Sequence, residues 1–243
     1  IGSEVKLSLE RPVAEGFEKL DVLIKRDRIA VTPIIAKLNQ EENHKVGYIR
    51  LNQFNGNASA DMEKTLKKFE SEGDDRYVLD LRGNPGGLFD AGLQIARMWI
   101  PEGTVVYTVD RHGIQEGFEA KGSAITTDPL VVLTDGGSAS ASEILAGALQ
   151  ENNRAQLVGT KTYGKGLIQS LYELEDGAGL AVTIAKYETP LHHNIHKRGI
   201  IPNVEVALTE PITRKQLGTK EDPQYVAALA VLDGTYKNMV AKS

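Results

Sequence analysis

Tyr77-Val78-Leu79-Asp80-Leu81-Arg82-Gly83-Asn84-Pro85-Gly86-Gly87 decides the fold. Residues 77–81 are a short apolar run that stops in a Gly/Asn/Pro turn, the pattern of a buried strand. Residues 88–100 then change period, with Leu88, Ala91, Ile95 and Met98 on one helical face. The same order recurs on both sides. Residues 46–54 read as a strand, 55–57 as an Asn/Gly loop, and 58–72 as a helix with Met62, Leu66 and Phe69 aligned. Residues 129–133 read as a strand, 134–137 as a turn, about 140–151 as a helix, and 155–159 as the next strand. Strands alternating with helices predict an α/β core with buried strands.

Outward from this core, residues 105–120 read as a hairpin turning at Arg111-His112-Gly113, and 167–174 and 180–187 as further strands. Asp222-Pro223 opens a last helix, with a capping carboxylate and proline at the first position, and Gly234 closes it. At the other end, Val5-Lys6-Leu7-Ser8-Leu9 alternates cleanly. Val22-Leu23-Ile24, with Ile29 and Val31, does so less regularly. Two strands cannot build a core of their own. Residues 1–31 therefore read as an attachment or the tail of a domain, and 32–243 as the main body.

The 243 residues are 41% hydrophobic and 25% charged, the balance of a folded chain with one large domain and at most part of a second. Net charge is −5, and no basic run interleaved with aromatics points to nucleic acid. Without cysteine there is no disulfide, thiolate metal site or cysteine nucleophile. No stretch approaches the ~20 apolar residues of a membrane span. The chain begins at Ile1 rather than Met, as a mature form or a fragment would.

Three loops poor in side-chain bulk follow apolar strands: 82–87, 135–142 and 161–166. Sites in open α/β sheets form at such carboxyl ends, so the three are expected to converge. Gly136-Gly137-Ser138-Ala139-Ser140-Ala141-Ser142-Glu143 places three alternating serines at a helix start, where free amides favour developing negative charge. Serines also cap helices, so this loop alone leaves a structural reading open. Lys165 lies between Gly164 and Gly166. It is either a solvated turn residue or, if buried against the serine loop, a neutral amine able to take a serine proton. Gly83, Gly86 and Gly87 offer backbone amides for an oxyanion hole. Ser138 and Ser142 rival Ser140 as nucleophile, and Lys161 rivals Lys165. Glu143 reads as a first-turn helix stabiliser, and Glu151 has no obvious partner. His192, His193 and His196 have a spacing that could hold a metal, yet no carboxylate lies in their segment and no metal is expected. His44 and His112 read as solvated.

Gly-Ser-Ala-Ser-Ala-Ser-Glu, then Val-Gly-Thr-Lys-Thr-Tyr-Gly-Lys-Gly-Leu-Ile-Gln, resembles the signature of the carboxyl-terminal processing peptidases, or tail-specific proteases. Residues 80–87 are similar to that family's oxyanion loop, and the match runs in order over about 46–208. The resemblance implies a crotonase-like layered protease core preceded by the last strands of a PDZ domain, with the carboxylate-capturing loop upstream. It implies Ser140 as nucleophile, Lys165 as general base, Gln169 as the residue orienting the lysine, and the amides of Gly86 and Ala141 as the oxyanion hole. No cofactor is implied, and the histidine segment becomes a hydrophilic loop suited to substrate contact. The partner would be a protein with an exposed C-terminal tail, membrane-associated proteins included, met in the periplasm or the thylakoid lumen. Residues 97–104 and 109–111 look most like the cyanobacterial and plastid branch. That branch implies the C-terminal extension of the photosystem II reaction-centre precursor as substrate. Two other expectations stand beside this one: a non-catalytic binding protein on the same core, and an acyl-CoA enzyme of the crotonase class.

Overall fold

A computed structural model describes residues 1–27, 32–41 and 44–236. The chain divides into two compact units, Ile1–Thr32 and Pro33–Ser243. The first is a hairpin of β1 (Glu4–Pro12) and β2 (Phe17–Lys25), antiparallel from Glu4↔Lys25 to Pro12↔Phe17. Backbone pairing carries both strands through the polar positions where alternation fades. The expected contributions of Ile29 and Val31 lie outside the described residues.

The second unit is mixed α/β. Its elements are β3 (Ile34–Glu41), β4 (His44–Leu51), α1 (Ala58–Glu72), β5 (Arg76–Asp80), α2 (Phe89–Trp99), β6 (Glu102–Asp110), β7 (Gly113–Lys121), β8 (Leu130–Thr134), α3 (Ala141–Glu151), β9 (Gln156–Gly159), β10 (Leu167–Glu173), β11 (Gly179–Glu188), β12 (Val204–Glu205) and α4 (Pro223–Leu232). One sheet runs β12-β9-β8-β5-β4-β3, parallel throughout except for β3 at its edge. The other, β10-β11-β6-β7, is antiparallel.

The parallel strands are apolar at consecutive positions because both faces are covered. Ile49, Leu79, Val132 and Leu157 meet Met62, Leu66, Ile95, Ile144 and Leu145 from α1, α2 and α3. Their neighbours Tyr48, Val78, Val131, Leu133 and Val158 meet Tyr225, Ala227 and Ala228 from α4 on the other side. The last helix is capped as expected, with Asp222 Oδ1 accepting from the amides of Gln224 and Tyr225. Among the described residues no helix is long and apolar enough to cross a membrane.

Two strands had no signal in the sequence. β3 carries Lys37, Asn39 and Gln40 within eight residues, and its polar groups are met by distant chain: Lys37 Nζ donates to Leu217 O and Asn39 Nδ2 to Gly218 O. β12 is only two residues long.

Candidate active site

β5, β8 and β9 lie side by side and parallel, so the loops that follow them leave the same edge of the sheet. Those loops are laced together by hydrogen bonds. Gly83 N donates to Asp135 Oδ1 (2.8 Å), Ala139 N to Asn84 O (3.0 Å), and Tyr163 N to Ser138 O (3.0 Å). The expected convergence is thus a bonded one.

The three serines separate by what their hydroxyls do. Ser138 is fully buried and donates to Leu81 O at 2.8 Å. Ser142 is fully buried and donates to Asn84 O at 2.9 Å. Both tie the serine loop to the glycine loop. Ser140 is half-buried, the N-cap of α3 rather than its first helical residue, with φ 56° and ψ −117°. Such a backbone costs an L-residue on the order of 1–3 kcal/mol and persists only where the surroundings fix it. The amide of Ala141, at the first helical position, has no acceptor within α3.

Gly86 lies against this turn. A Cβ built there would sit 2.7 Å from Ala139 O, 2.8 Å from Ser140 Cβ and 2.9 Å from Ala141 N, and φ is 96°. The Gly86 amide donates to Asn84 Oδ1 at 2.9 Å. Gly86 and Ala141 are therefore neighbours at Ser140, but the Gly86 amide is already engaged.

Lys165 departs from the burial its turn invites. Gly164 and Gly166 are buried, and a Cβ at Gly166 would come within 2.6 Å of His196 N. Lys165 itself is exposed. Among the described residues its ammonium makes no ion pair and no hydrogen bond to Ser140 Oγ. Gln169 is also exposed, on β10 at a register shift opposite Thr183. Lys161 is exposed as well.

Glu143 does more than serve its own helix. It is fully buried, and its two oxygens collect four donors. Oε2 accepts from Ser140 N (2.9 Å) and Lys165 N (2.8 Å). Oε1 accepts from Thr162 Oγ1 (2.6 Å) and Gly164 N (2.7 Å). The spacing Ser140–Glu143 is that of a capping box, which the sequence carries. The reach to residues 162–165 has no local signal.

The glycine loop is anchored from beneath. Arg82, nearly fully buried, pairs with Asp80 and Asp222, both at 2.7 Å, and donates to Gln224 Oε1. Tyr48 and Arg50 also donate to Asp80 Oδ2. Burial alone would raise the Asp80 carboxyl; hydrogen bonds and charge from Arg82, then the charge of Arg50, hold it below the usual carboxylate value.

Two readings of outlying residues need correction. Glu151 is not without a partner: it accepts from Leu191 N (2.7 Å) and faces His193 Nδ1 (2.8 Å), pinning the histidine loop to the end of α3. His44 is not simply solvated, since it sits between Asp75 Oδ2 (2.8 Å) and Arg76 (3.0 Å). His192 stacks on Tyr107 and faces Glu188. Among the described residues no three His, Cys, Asp or Glu side chains are grouped to hold a metal ion.

Residues 45–206 match the model of peptidase family S41. The chain is 55% identical to a carboxyl-terminal-processing protease of a Picosynechococcus species, covering 95% of this chain and 55% of that one. It is 43% identical to a chloroplastic carboxyl-terminal-processing peptidase of Arabidopsis thaliana, over 83% of this chain and 40% of the relative. The chain thus spans about half the length of such relatives. The solved photosystem II D1 C-terminal processing protease superposes with a TM-score of 0.74 at 35% identity, covering 92% of this chain and 62% of that one.

Proposed function

The chain belongs to peptidase family S41, and from that premise we propose that it is a serine endopeptidase cutting near the C-terminus of protein substrates. The observation that carries the reading is the contrast among the serines. Ser138 and Ser142 spend their hydroxyls tying loops together, while Ser140 occupies a strained turn at a helix N-terminus beside Gly86.

In this mechanism neutral Lys165 takes the Ser140 proton as Oγ attacks the scissile carbonyl. The oxyanion is met by the Ala141 amide and by the Gly86 amide, which exchanges Asn84 Oδ1 for it. Lys165 then protonates the leaving amine, and water hydrolyses the acyl-enzyme. Gln169 orients the lysine. Lys165 is exposed in the structure, so in this reading its side chain swings inward to reach Ser140. No metal or cofactor takes part.

The finer fold reading is a crotonase-like layered core in residues 32–243, with residues 1–31 as the closing strands of a PDZ domain. The hairpin of β1 and β2 is compatible with that. The substrate class is a protein with an exposed tail in the periplasm or thylakoid lumen, the photosystem II D1 precursor foremost, given the names of the relatives. A direct test offers the chain a protein with an apolar tail and the same protein with its terminal carboxylate amidated, and maps the products by mass spectrometry. One cut close to the free C-terminus supports the reading. Intact substrate, with saturable binding to the chain, would favour a binding protein on this core.

A further inference from the structure

Glu143 has more bonds than helix stabilisation requires. A carboxylate in a first turn complements the helix N-terminus while exposed, and a capping box asks only that it reach the N-cap amide. Here the carboxylate is fully buried, and three of its four bonds go to a loop 19–22 residues further along the chain. A buried carboxylate is tolerated only when its acceptor sites are filled. Four donors occupy the roughly four sites an ionised carboxylate offers.

We propose that Glu143 is the positioning residue of this site: one buried carboxylate sets the backbone of the nucleophile and of the base together. The inference rests on the assignment of Ser140 and Lys165 above. Oε2 alone receives the amides of both residues, so the two backbone nitrogens lie within about 6 Å of each other. The bond to Ser140 N also helps fix the positive φ that turns this serine out of the helix. Oε1 holds the rest of the lysine loop through Gly164 N and Thr162 Oγ1, and Thr162 Oγ1 in turn accepts from Ile200 N at 2.7 Å. The Lys165 side chain is left free while its backbone is fixed. Assembly of the pair is then a side-chain movement from a set anchor, not a rearrangement of two loops.

Glutamine cannot reproduce this. Glu143→Gln keeps the size but presents an NH2 group to two of the four donors, so one loop or the other must retreat. A misplacement of about 1 Å costs on the order of 100-fold in rate.

The experiment uses the full chain as wild type, Glu143→Gln, Thr162→Val, Thr162→Ser, Ser140→Ala and Lys165→Ala. It measures kcat and KM on a peptide with a free C-terminal carboxylate, and the rate of fluorophosphonate labelling per folded molecule, with folded molecules counted by thermal unfolding. Glu143→Gln is expected to lose about 100-fold in kcat and in labelling rate, with KM changed far less. Thr162→Val, which removes one of the four donors, should lose less than Glu143→Gln, and Thr162→Ser, which keeps the hydroxyl, should recover wild-type rates. Wild-type rates in Glu143→Gln, or a loss matched by its folded fraction, overturn the proposal. If Glu143→Gln does not fold, Thr162→Val decides: a rate equal to Thr162→Ser overturns the proposal, and a lower one supports it. Cleavage retained in Ser140→Ala or Lys165→Ala would instead strike the underlying assignment, and the proposal with it.

Discussion

Gly86 packs so closely on Ser140 that a Cβ at position 86 would lie 2.8 Å from the serine Cβ, inside van der Waals contact. Glycine is required there twice over, by this approach and by φ 96°. Gly86→Ala must push the glycine loop off the serine turn and carry the Gly86 amide away with it. The expected result is a loss of at least about 100-fold in kcat, the scale of removing one oxyanion donor. Steady-state kinetics on folded protein checks this, and near-normal kcat would show that the contact is unimportant.

Arg82 is the buried cation between Asp80 and Asp222, and it joins the glycine loop to the cap of α4. Removing it leaves two buried carboxylates without their shared partner. Arg82→Met is expected to destabilise the fold by about 3–5 kcal/mol, read by chemical denaturation at neutral pH. Because the folded Asp80 is held below its ordinary value, its contribution is fully present above pH of about 4 and lost as pH falls through the lower folded value. The gap between wild type and variant should therefore narrow in acid.

Asp74 behaves oppositely. Its carboxyl is buried beside Tyr77, and burial pushes it up to about 6. A raised acid favours the folded state while protonated, so stability falls as pH rises from the ordinary value of 3.8 through about 6. Asp74→Asn should match wild type near pH 4 and exceed it in Tm at pH 7. A Tm difference independent of pH would contradict this reading.

Much of this fold is written locally. The switch from strand to helix period at residues 77–100, the capped start at Asp222-Pro223 and the glycine turns all report on near neighbours, and the elements formed within a few residues of where they read. β3 was silent because its polar groups are satisfied by residues 217–225. The serine and lysine loops were legible as small-residue runs after apolar strands. What joins them was not. Glu143 looks like any first-turn acid, and its bonds to residues 162–165 exist only once β8 and β9 lie in parallel. Nor did two flanking glycines bury Lys165: they let the backbone approach residues 196–199 and leave the side chain outside.

The central claim is that Ser140 is the nucleophile and Lys165 its base. The most direct measurement is peptide mapping by mass spectrometry after reaction with a fluorophosphonate, on the wild-type chain and on Lys165→Ala. A single adduct on Ser140, formed in the wild type but not in Lys165→Ala, is the predicted result. An adduct on Ser138 or Ser142, or equal labelling of Ser140 without the lysine, would contradict the account.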